Sequence, residues 1–89
     1  MTRMFVRHDV EDFSRWKKGY DEAAGFQRAA GVTDEAVYQA ADNPNDVTVI
    51  HDFDSLDEAR AFASNPQLKK TMDEIGVTGQ PQIWFTEPA

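Results

Sequence analysis

The chain has 89 residues with sixteen acidic against nine basic side chains, a net charge of −7, and no Lys/Arg run longer than two. Such a field opposes nucleic acid and anionic membranes, so neither is expected as a partner. There is no cysteine, which excludes disulfides, zinc-thiolate sites and a thiol nucleophile and suits a reducing compartment.

Forty per cent of the residues are hydrophobic, with six Phe, two Trp and two Tyr, enough for a core. Residues 1–89 therefore read as one domain, which at this size buries only about 60 to 65 per cent of its unfolded surface. The start, "MTRMFVRHDV", lacks the apolar core of a secretory signal, and no apolar run is long enough to span a bilayer. A soluble cytoplasmic protein is the expectation.

Residues 3 to 10 alternate, with Met4, Val6, His8 and Val10 of one parity and Phe5 and Arg7 of the other, as in a strand. From Phe13 the period changes. Phe13, Trp16, Tyr20, Ala23, Ala24 and Gln27 fall on one helical face, with Asp12 as N-cap and Gly31 as stop. "EAVYQAAD" and "DVTVIHDF" read as two strands of a hairpin reversing through "DNPND". "SLDEARAFASN" opens with a capping box, Ser55 to Glu58, and sets Leu56, Ala59, Phe62 and Ala63 on one face. "PQLKKTMDEIG" adds a shorter helical turn with Leu68, Met72 and Ile75 inward, and "PQIWFTE" is a last strand entered through Pro81.

The order is βαββαβ, which predicts an α+β, ferredoxin-like unit with a four-stranded antiparallel sheet. Both histidines sit in similar corners, "HDVEDF" after His8 and "HDFDSL" after His51. The acids that follow each are expected to be largely helix caps. The first and third strands are expected as parallel central neighbours, bringing His8 and His51 close together. Each histidine shares a parity with apolar residues, so each is expected to face the apolar layer. The other parity is also apolar in part, with Phe5 and Ile50, so a second sheet should cover that face.

In "HDVEDFSRWKKGYDE", "VYQAADNPNDVTVIHDF", "EARAFASNPQLKKTM" and "GVTGQPQIWFTE" the chain resembles the dimeric α/β-barrel superfamily. The resemblance is to its small stand-alone cyclases and antibiotic-biosynthesis-monooxygenase-like proteins, and it spans nearly the whole chain. It implies a homodimer whose two sheets close a barrel, with a small-molecule cleft between sheet and helices in each protomer. The cofactor-free monooxygenases and haem-degrading members rely on Asn and Trp in the cleft. Here Asn43 and Asn45 fall in the hairpin turn and Asn65 at a helix end, so oxygenation ranks as the runner-up.

Polyketide cyclases of the superfamily suit the residues present. An aldol cyclisation needs a base for an α-proton, a donor for the enolate oxygen, and walls that hold a flexible chain folded. His8 or His51 is the candidate base, and Tyr20 or Tyr38 the candidate donor. Trp16, Tyr38, Phe53, Phe62 and Trp84 are the candidate substrate-binding walls. Arg7 is a lower-ranked contact for a substrate carboxylate, a structural ion pair being its commoner fate. The expected activity is cofactor-independent cyclisation or isomerisation of an apolar, aromatic metabolite. A non-catalytic ligand-binding or accessory dimer is the alternative outside enzymes. No metal is expected, because consecutive His-Asp side chains of a strand point to opposite faces, and the cofactor-independent reading calls for no cofactor. The bland reading of Trp16 and Tyr20, four apart on a helix, is core packing.

Overall fold

The computed structural model describes residues 1–89. The elements are β1 (Thr2–Val10), α1 (Phe13–Glu22), α2 (Ala24–Ala29), β2 (Asp34–Ala40), β3 (Asn43–Phe53), α3 (Leu56–Ala63), α4 (Pro66–Glu74) and β4 (Val77–Thr86). The strands form one antiparallel sheet in the order β2-β3-β1-β4. This is the predicted α+β ferredoxin-like fold, with each helical segment divided in two. No helix is long and apolar enough to cross a membrane.

Strand alternation sorts the side chains between two faces. Thr2, Met4, Val6, His8 and Val10 of β1 are all buried beneath the helices, where Trp16 and Tyr20 of α1 and Ala59 and Phe62 of α3 cover them. The opposite face carries Phe5, Arg7, Ile50 and Trp84 and has no layer above it. Phe5 and Trp84, opposed in the register, stack there with ring centroids 5.2 Å apart.

The helix starts follow their caps. Asp12 accepts from the Arg15 amide, Ser55 from the Glu58 amide, and Asn65 from the Gln67 amide ahead of α4, which begins with Pro66. Of the acids after each histidine, only Asp12 caps in this way. Asp52 instead forms a two-point ion pair with Arg3, its cross-strand neighbour. The first helical segment is broken at Ala23, whose amide bonds back to Gly19 and Tyr20. The chain turns there, just before Gly25 weakens the helix, and Phe26 then reaches Phe62 at 5.6 Å. Gly31 ends α2 in a left-handed conformation, φ 106°, as the stop signal predicts.

Three expectations need correction. The hairpin reverses at Ala41 and Asp42 rather than through "DNPND", and β3 begins at Asn43. Asn43 and Pro44 lie beyond the end of β1, which pairs only as far as Asp46, so proline costs no bond to that neighbour. Asn45 there accepts from the Phe13 amide at 3.1 Å. Second, β4 starts at Val77 rather than Pro81. Between the pairs Arg7↔Gln82 and Asp9↔Thr78, residues 79 to 81 bulge opposite His8 alone, and the bulge accommodates both Pro81 and the positive φ of Gly79.

Third, β1 and β3 are neighbours but antiparallel. The chain returns along the helices before β2, so β2 runs with β1, and the hairpin then reverses β3. His51 therefore opposes Met4, while His8 opposes Val47. The histidines share a face but lie roughly 13 Å apart along the strands, four residues at about 3.3 Å each.

Candidate active site

Between the helices and the sheet lies an apolar cavity of about 40 Å³. Met4, Val6 and Val49 form its floor, and Leu68, Met72 and Ile75 of the α4 region form its roof. His8, Trp16, Tyr20, His51 and Phe62 line it together. The two histidines do not touch. They are joined by rings instead: His8 to Trp16 at 5.5 Å, Trp16 to Tyr20 at 4.9 Å, and Tyr20 to His51 at 5.9 Å. The four-residue spacing on α1 stacks Trp16 on Tyr20 and bridges the gap that antiparallel strands impose.

At one end of this ladder the hydroxyl of Tyr20 lies 2.8 Å from Nε2 of His51 and 2.7 Å from Oε2 of Glu35. Glu35 is the register partner of His51 across β2 and β3, so the pairing itself delivers the carboxylate. Tyr20 and His51 are buried, at 7% and 3% exposure, whereas Glu35 is exposed. Burial holds the pKa of His51 down to about 4, against the opposing pull of Glu35 and Asp52. Burial, reinforced by the hydrogen bond to Glu35, raises that of Tyr20 above its ordinary value. Burial lowers the pKa of His8 too, against the opposing pull of Asp9 and Asp46. Nδ1 of each histidine is buried without a hydrogen-bond partner.

Phe53 is fully buried and packs on Phe62 at 5.6 Å, behind the cavity wall. Tyr38, Trp84 and Arg7 do not converge on the cavity. Tyr38 pairs with Thr48 and Trp84 with Phe5, which puts both on the uncovered face, 58% and 41% exposed. Arg7, of the same parity as Phe5, makes a two-point bond to Asp46 on that face. Parity decides all three placements, since a wall residue must share the face of His51.

Two polar residues of the site carried no role in the sequence reading. Glu35 has the parity of Val37 on β2, so it points toward the helices, but only the strand pairing places it beside His51. Gln27, on the predicted inward face, is buried and lines both the cavity and an outer cleft that Tyr20 and Glu35 share. No three His, Cys, Asp or Glu side chains converge anywhere as a metal site. The cavity has room for about two or three waters, so a larger ligand requires its roof to move. The roof helix α4 is the one helix with no buried residue, which marks it as loosely held.

Fold and cavity together define a ferredoxin-like α+β protein with a pocket between helices and sheet. Among solved structures, the chain is similar to a candidate antibiotic biosynthesis monooxygenase of Bordetella bronchiseptica, with TM-score 0.84 and 14% identity over 99% of this chain and 96% of that one. It is also similar to SnoaB, a cofactor-independent oxygenase from Streptomyces nogalater, with TM-score 0.75 and 13% identity over 99% and 94% of the two chains. A conserved protein from Methanosarcina mazei matches with TM-score 0.77 and 14% identity over 99% and 92%. At such identities the likeness is one of fold. No protein-family model matches the chain, and no curated protein does.

Proposed function

We propose that the protein binds a small, apolar, aromatic metabolite between its helices and sheet and carries out cofactor-independent acid-base chemistry on it, of the cyclisation or isomerisation type. The observation that carries this reading is the Tyr20 hydroxyl set between His51 and Glu35 in the wall of an apolar cavity. His51 is the base that removes a proton next to a carbonyl. Tyr20 orients the imidazole, and the aromatic walls hold the carbon skeleton folded. Trp16 and Phe62 supply those walls, while Phe53 supports Phe62 from behind. The active species is a homodimer formed through the uncovered sheet face, where Phe5, Ile50, Trp84 and Tyr38 need cover.

The test is exchange of the acidic C–H protons of benzoylacetone in D2O, followed by NMR above the buffer rate. The His51→Gln variant is expected to lose at least about a hundredfold of the enzymic rate, in the range of general-base catalysis. His8→Gln is expected to keep most of it. Unchanged exchange in a variant lacking both histidines removes the reading.

The oxygenase named in one of the solved structures favours a second reading. There the carbanion or phenolate generated by the same base passes electrons to dioxygen. Oxygen uptake with a phenolic substrate separates the two. An accessory dimer predicts saturable binding with no change in the ligand.

A further inference from the structure

Tyr20 has one hydroxyl proton and two acceptors within reach. Glu35 as a carboxylate can only accept, so at 2.7 Å it takes that proton. The contact to His51 at 2.8 Å must then be made by a proton on Nε2 donated to the phenol oxygen. A neutral imidazole carries only one proton. Its Nδ1 is therefore a bare acceptor, and it is the ring atom without a partner.

We propose that Glu35 is the outer end of a proton relay, Glu35–Tyr20–His51, which holds His51 in the Nε2–H tautomer and carries the abstracted proton toward water. The substrate step rests on the acid-base reading above; the tautomer does not. Nδ1 is buried while the cavity is closed, so the substrate meets it once the roof has moved. A C–H bond of the substrate then breaks, leaving its electron pair as an enolate, and an N–H bond forms at Nδ1. The Nε2 proton passes to the Tyr20 oxygen, and the Tyr20 proton passes to Glu35. His51 ends neutral in the opposite tautomer, Tyr20 is unchanged, and the proton sits on an exposed carboxyl that exchanges with water. Reversal of the same transfers protonates the product oxygen or carbon, so no redox partner is required.

The relay answers a physical difficulty. Burial makes His51 a weak base, with a pKa of about 4 even with Glu35 and Asp52 pulling it upward, because an imidazolium inside the apolar layer is poorly solvated. Passing the proton on means that no imidazolium accumulates. Glu35 is exposed and stands on an edge strand, so it reaches solvent. It is a positioning residue that never touches the substrate.

The experiment is long-range 1H–15N correlation NMR of the two imidazoles, assigned with His8→Gln. In the unmodified protein His51 should show the Nε2–H pattern. In Glu35→Leu, Tyr20 is free to donate to Nε2, and the pattern should move to Nδ1–H. Glu35→Gln retains an acceptor oxygen for Tyr20, so it should keep the Nε2–H tautomer yet slow benzoylacetone exchange at least tenfold, because an amide takes up no proton. An Nδ1–H tautomer in the unmodified protein overturns the proposal, as does an Nε2–H pattern indifferent to Glu35→Leu. Full exchange activity in Glu35→Gln overturns the relay. If the unmodified protein exchanges nothing, the acid-base reading fails, while the tautomer result still decides the role of Glu35.

Discussion

At the scale of single residues, the hydroxyl of Tyr20 ties a buried imidazole to a solvent-facing carboxylate. Removing it leaves the ring of His51 with neither nitrogen paired, since Nδ1 already lacks a partner. Tyr20→Phe is therefore expected to destabilise the fold by about 1 to 3 kcal/mol, the cost of an orphaned buried polar group, measured by urea denaturation. His51 also makes stability depend on pH. The unfolded chain binds a proton near 6.5, whereas the folded one does so only near 4. Protons thus favour unfolding in that window. Stability is full above about pH 7, falls as pH drops from 6.5 to 4, and then levels off for this group, a loss of about 3 kcal/mol. His8, also lowered by burial, acts in the same direction. Asp46 and Asp52, held below the ordinary carboxylate range chiefly by hydrogen bonds from Arg7 and Arg3, keep their contribution until more acid pH. Denaturant midpoints from pH 8 to 4 check this, and a flat profile would show that the histidines are not buried neutral. His8, His51 and Tyr20 were legible as site candidates because strand parity and helical spacing set the face of each. Glu35 was not, because its meeting with His51 depends on the pairing of two strands, and a lone acid at a strand start carries no local signal.

At the scale of elements, α1 and the end of α4 meet at Gly19. A Cβ there would collide with the side chain of Ile75, which roofs the cavity. Gly19→Ala improves helix propensity by nearly 1 kcal/mol, but overpacking costs about 1 to 3 kcal/mol. The expected net effect is destabilisation by about 1 kcal/mol in thermal denaturation. A gain in stability would mean that Ile75 and the roof give way freely. The glycine could be read as a weak point of an amphipathic helix, yet its use as a docking notch belongs to the packing of two helices far apart in sequence. The start of β4 was similarly hidden. "VTGQ" carries a glycine and little hydrophobic alternation, and only pairing with β1 across the bulge makes it a strand.

For the molecule as a whole, the uncovered face is the surface through which the proposed homodimer would form. Its stacked Phe5 and Trp84 lie between the ion pairs Arg3–Asp52 and Arg7–Asp46, so much of its charge is paired within the protomer. With only 16 of 89 residues buried, a single protomer has a small core, and a second sheet would bury more apolar surface. Trp84→Glu puts an unpaired charge on the apolar patch where the proposed dimer would pack. It is expected to shift sedimentation from dimer to monomer and to lower the melting temperature. A variant that sediments as the unmodified protein does would place any self-association elsewhere.

The sequence by itself determined the element order, the Asp12 and Ser55 helix caps, the faces of the residues in the first and third strands and hence the apolar surroundings of both histidines. These follow from local rules, the two-residue period of strands and the 3.6-residue period of helices. The tertiary structure alone decided that the histidines stand at opposite ends of neighbouring strands, that Trp16 and Tyr20 span the space between them, and that Glu35 completes the hydrogen-bonded group around His51. Those relations depend on strand direction and register, which are set by how the whole chain closes its core and are not encoded in any one segment.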